Sequence, residues 1–97
     1  MNQVWDHYFP IGEEGDLAYY IGLIFSYIEN DLEALRYFEY SYELYGASAE
    51  IYYKIAICYY NLSQVDKALE YIEKSLHLDP ILEDSRTLKV LIEDKIN

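Results

Sequence analysis

Residues 49–82 read AEIYYKIAICYYNLSQVDKALEYIEKSLHLDPIL. Two apolar stripes at helical spacing lie in this stretch. One comprises Ile51, Tyr52, Ile55, Ala56, Tyr59 and Leu62, the other Ala68, Leu69, Ile72, Ser75 and Leu76. The break near Ser63 and the stop at Asp79-Pro80 bound them, since the residue before a proline is biased out of the helical region. Moving back 34 residues, the pattern recurs without a gap over 15–48. Eight pairs are identical: Tyr19/Tyr53, Ile21/Ile55, Ala34/Ala68, Leu35/Leu69, Tyr37/Tyr71, Glu39/Glu73, Ser41/Ser75 and Leu44/Leu78. A fixed period of this length marks a stacked helical array.

Working outward, the spacing predicts five helices: 16–29, 31–44, 50–62, 65–78 and a closing one over 82–96. Leu17, Ile21, Ile24, Phe25 and Ile28 form the apolar stripe of the first, and Leu35, Phe38, Tyr42 and Leu44 that of the second. In the closing helix Leu88, Leu91, Ile92 and Ile96 face inward, and Lys89 and Lys95 near its end oppose the helix dipole favourably. Asn30-Asp31 is a turn and N-cap signal, Gly46 a stop, and Ser63 with Asp66 resembles a capping box. Residues 1–14 form an aromatic N-terminal segment (Trp5, Tyr8, Phe9) with a packing role, and 15–97 form one domain made of repeats 15–48 and 49–82 and the closing helix 83–97. Gly22 with Ala34, and Ala56 with Ala68, stand where paired helices approach closely, beside the large residues Phe25/Tyr59 and Phe38/Ile72.

The spaced residues Tyr52, Ile55-Ala56, Tyr59, Ala68, Ile72 and Pro80 resemble the pattern of the tetratricopeptide repeat. The earlier copy reads Ala18, Ile21-Gly22, Phe25, Ala34, Phe38 and Gly46, and so departs at its first aromatic and at the proline. The glycine common in the turn within such repeats is replaced by Glu29 and Ser63. The resemblance implies an all-α fold, a right-handed superhelix of antiparallel helix pairs with about five helices plus a short N-terminal segment. It also implies a non-catalytic protein–protein interaction module. In such arrays the first helix of each pair lines a concave groove. Carried over residue by residue, the partner-binding groove would present Asp16, Tyr19, Leu23 and Tyr27, then Glu50, Tyr53, Ile57, Tyr60 and Asn61, then Asp84, Thr87 and Leu91.

Composition bounds what such a groove could hold. Net charge is −11, and residues 1–53 carry ten acids against the single base Arg36. No cationic footprint for nucleic acid or an anionic membrane exists, so neither is expected as a partner. No stretch has the apolar length of a membrane span and the start MNQVWDHYFP has no signal-peptide character, so the expected location is cytoplasmic. Tyr19 and Tyr53 in register, with an acid at the same level of each helix (Asp16, Glu50, Asp84), suit a peptide or protein segment carrying Lys or Arg. A carboxylate-clamping groove is excluded because Tyr19, Leu23 and Ile57 stand where cations and Asn are required and Lys54 stands alone. His7 and His77 lie on unrelated segments and Cys58 sits among apolar neighbours as a buried small hydrophobe. No catalytic residue, metal site or cofactor is therefore predicted. Two alternatives to a peptide-binding groove stand: a self-associating, homodimeric assembly scaffold, and an accessory domain of a larger enzyme.

Overall fold

The computed structural model describes residues 14–97, with side chains from Leu17 onward; the N-terminal segment up to residue 13 lies outside the described residues. Five helices follow: α1 (Glu14–Tyr27), α2 (Asp31–Tyr45), α3 (Ala49–Asn61), α4 (Val65–Leu78) and α5 (Glu83–Ile96). The described residues contain no strand, and none of their helices is long and apolar enough to cross a membrane. α1 pairs with α2 and α3 with α4; α3 also packs on α2, and α5 on α4 with a lighter touch on α3.

The turn inside each pair is the same device used twice. Glu29 N–H donates to the Ser26 carbonyl and Asn30 N–H to the Phe25 carbonyl, at 3.0 and 2.8 Å. Thirty-four residues on, Ser63 N–H donates to Tyr60 O and Gln64 N–H to Tyr59 O, at 3.1 and 2.8 Å. These are Schellman closures, which require a left-handed residue after the helix. Glu29 and Ser63 supply it at φ 62° and 65°. The predicted capping box at Ser63 is therefore corrected: Ser63 closes α3, and Gln64 stands at the start of α4 without a side-chain cap. Asn30 and Ser48 do cap, accepting from Glu33 N–H and Ile51 N–H at 3.3 and 3.1 Å.

The core runs through α3. Ile51, Ile55, Ala56, Cys58 and Tyr59 are buried there, against Ala34, Leu35 and Phe38 of α2, Ala68 and Ile72 of α4, and Leu88 and Ile92 of α5. A Cβ built on Gly22 would meet the Phe38 ring at 2.7 Å, so the partner of that small residue is Phe38. A polar knot sits under the last corner. Ser75 Oγ donates to the Ala49 carbonyl at 2.8 Å and lies 2.6 Å from Ser85 Oγ, joining α3, α4 and α5 in a buried site.

Five residues expected to face inward do not. Ile24 and Ile28 are each 61% exposed, because α1 packs on α2 through Ala18 and Gly22 and no described helix covers its other apolar side. Leu44 lies about 120° round α2 from Phe38, outside the buried arc, and is exposed. Leu91 and Ile96 are exposed because α5 is covered from one side only, through Ser85, Leu88 and Ile92.

Candidate interaction groove

The odd-numbered helices each show three faces. On α3, Ala56 and Tyr59 belong to the face turned to α4, while Ile51 and Cys58 belong to the face turned to α2; Glu50, Tyr53, Ile57 and Tyr60 form the third. The 34-residue register puts Tyr19 and Leu23 of α1, and Asp84, Thr87 and Leu91 of α5, on the equivalent third faces.

Electrostatics ties these faces together. The Tyr19 phenol is pushed up to about 12, first by burial, then by the Glu50 carboxylate and by Tyr20. Tyr53 is raised by burial, then by Asp84 and Glu50. Glu50 thus acts on tyrosines of two helices, and Tyr53 on α3 feels carboxylates of α3 and α5. Both phenols stay protonated at neutral pH, as hydroxyl donors with an accessible π-face. Tyr19 is anchored from behind by the Phe38 ring, 5.7 Å away between centroids.

Cations of the chain already use this surface. Lys54 Nζ stands 5.4 Å from the centroid of Tyr53, and Lys95 Nζ stands 5.4 Å from that of Tyr60. Leu23 and Ile57 are half-buried and pack against the core from this side. Tyr27 is 90% exposed at the end of α1. Glu50, Asp84, Thr87 and Leu91 are exposed. The Asn61 amide turns across to α2, donating to the Asp31 carboxylate at 3.1 Å. Asp16 lies on α1, and its side chain lies outside the described residues.

A second tyrosine system occupies the seam between α2, α3 and α4. Tyr42 and Tyr52 lie 5.7 Å apart, Tyr52 and Tyr71 6.0 Å, and Tyr71 and Tyr59 5.7 Å with nearly parallel rings. Lys74 Nζ caps Tyr71 at 4.7 Å, and the Tyr59 hydroxyl donates to Glu39 Oε2 at 3.3 Å. Beside it runs an open trough of about 690 Å³, lined by Tyr52, Leu69, Glu73 and His77 among others. Sequence periodicity assigns Tyr52 and Leu69 to packing and does not reveal the trough, although its lining residues Leu69, Glu73 and Leu78 each belong to a repeated pair. Cys58 is fully buried and its thiol is pushed up to about 12, first by burial and then by Asp31, so it offers no nucleophile. Among the described residues no cluster of His, Cys, Asp and Glu is placed to hold a metal ion.

Residues 49–81, which are α3, α4 and the corner after them, match the family model of the tetratricopeptide repeat. This unit is a tetratricopeptide repeat. No curated protein matches it. The helix pair α1–α2 is the same unit one period earlier, with the same turn closure, and α5 follows the matched repeat as a single further helix. Tetratricopeptide repeats are protein–protein interaction modules and are generally non-catalytic.

Proposed function

We propose that the face shared by α1, α3 and α5 binds a basic segment of a partner protein, with Tyr19, Tyr53 and Tyr60 as an aromatic floor and Glu50 and Asp84 as counter-charges. The observation that carries this reading is the position of Glu50, which acts on both Tyr19 and Tyr53, beside an Asp84 that acts on Tyr53. A cation entering there meets carboxylates and neutral π-faces together. The lysines over Tyr53 and Tyr60 are an intramolecular example of the same contact. Leu23, Ile57 and Leu91 give the segment apolar contacts, and Asp16, Tyr27, Asn61 and Thr87 bound the surface. Exposed cation–π contacts contribute about 0.5–1 kcal/mol each, and exposed ion pairs a similar amount. The expected affinity is therefore modest and falls with added salt.

The test is a Lys/Arg-rich peptide library screened against the parent and the Tyr19→Ala/Tyr53→Ala double variant. The parent should select basic peptides. The double variant should lose roughly tenfold in affinity, the sum of two such contacts. A parent that selects no basic peptide, or a double variant that binds as the parent does, removes the reading.

A further inference from the structure

The face of α1 next to its groove face, about 100° round the helix, goes beyond this reading. Tyr20, Ile24 and Ile28 are 57%, 61% and 61% exposed, and the 90% exposed Tyr27 stands at their rim. Spacing at i, i+4 and i+8 puts the first three on one stripe of the helix. The repeat register shows what this stripe is. Tyr20 and Ile24, with Leu17 before them, correspond to Lys54, Cys58 and Ile51 of α3 and to Leu88, Ile92 and Ser85 of α5, while Ile28 corresponds to the half-buried Leu62 and the exposed Ile96 at the helix ends. Of these, Ile51, Cys58, Ser85, Leu88 and Ile92 are all buried, covered by the helix that precedes theirs. On α1 the equivalent positions stay apolar and have no covering helix among the described residues.

We propose that this stripe is a homotypic interface, through which two copies of the chain meet about a two-fold axis. Three observations select a second copy. First, no charged side chain occurs between Asp16 and Glu29, a neutral window of about three helical turns in a chain of net charge −11. Two such acidic molecules can approach closely only through a neutral face, and an ionic partner would find no counter-charge there. Second, the exposed parts of Tyr20, Ile24 and Ile28, together with the rim residue Tyr27 that also borders the groove, offer roughly 500 Å² per copy, so a pair that covered all of it would bury about 1,000 Å², the area a specific interface has to reach. Third, the far end of the array cannot receive this stripe. There α5 presents Arg86, Val90 and Glu93, all exposed, at the positions that α1 and α3 use to meet their following helix. Head-to-tail stacking would set an apolar stripe on charges, whereas the isologous pairing closes at two copies.

Sedimentation velocity of the whole chain, from about 1 to about 200 µM, tests this at low and high salt. The parent should be a dimer at the upper concentrations, with the dimer fraction rising as salt screens the repulsion between copies. Ile24→Glu should be monomeric throughout with unchanged helical circular dichroism, and Tyr20→Glu should repeat the result at a second exposed position. A parent that stays monomeric overturns the proposal, and passes the face to residues 1–13 or to a different protein. A dimer that survives both substitutions also overturns it, by placing the contact elsewhere. The groove variants Tyr19→Ala and Tyr53→Ala should leave the dimer intact, so failure of one reading does not imply failure of the other.

Discussion

Glu29 and Ser63 hold the backbone in the left-handed region, at φ 62° and 65°, where a Cβ crowds the following carbonyl. Neither side chain makes a compensating hydrogen bond or ion pair with the described residues, and both residues are exposed. Glycine removes the crowding but adds freedom to the unfolded chain, and the two effects partly offset. The net expectation is a gain of about 0.5–1 kcal/mol for Glu29→Gly and for Ser63→Gly, additive in the double variant because the sites belong to separate turns. Urea unfolding midpoints with unchanged slope would check it, and a loss of stability in either variant would contradict the strain argument. That both positions depart from the usual repeat glycine was legible in the sequence. That they nevertheless keep the glycine conformation was not, because residue identity does not fix φ when two hydrogen bonds hold the turn.

At the scale of helix pairs, α1 meets α2 where Gly22 lies against the Phe38 ring, and the matching positions of α3 and α4 are Ala56 and Ile72. Each pair combines a smaller residue with a larger or a larger with a smaller, so the spacing is kept. Gly22→Ala gains about 1 kcal/mol of helix propensity but drives a methyl to 2.7 Å from a fully buried ring, an overpacking cost of about 1–3 kcal/mol. The steric effect wins, and the single variant should lose about 1 kcal/mol by thermal or urea unfolding. In a Phe38→Ile background the ring is gone and only the propensity gain remains. Adding Gly22→Ala there should be neutral or stabilising, and a cycle with no coupling energy would show that the ring is not what confines residue 22. The sequence places Gly22 with Ala34 at the close approach and Phe38 among the large residues beside it. That the ring lies directly against Gly22 came from rotation of α2 about its axis, a quantity that periodicity leaves free.

For the whole molecule, burial of titratable groups sets an alkaline limit. Cys58 rises from 9.0, and Tyr19 and Tyr59 from 10.0, each to about 12, with burial the leading cause in all three. Each group binds its proton more tightly folded than unfolded. The stability this contributes is complete below pH 9 and is lost as pH rises through the folded values near 12. The urea midpoint should therefore fall progressively between those limits. Phenolate absorbance of the buried tyrosines should appear together with the loss of helical circular dichroism. Thiol labelling of Cys58 should likewise track unfolding; rapid labelling of the native chain near pH 8 would mean the α2–α3 seam opens locally. The tyrosines taken together show how much one residue type hides. Thirteen of them read as one compositional bias, yet the structure divides several between a surface with Glu50 and Asp84 and a packed ladder with Lys74.

The 34-residue period by itself determined the number, order and approximate ends of the five helices and the identity of the repeat, because those follow from local spacing and from punctuation at Asn30, Gly46 and Pro80. It determined Ile55, Ala56, Ala68 and Ile72 as core for the same reason. Only the tertiary structure decided which apolar residues are covered. A stripe pattern records that a face is apolar but not whether a neighbour exists to bury it. Cys58 and Ile92 are closed off by α2 and α4, and Ile24, at the same register position on α1, has no such covering helix among the described residues.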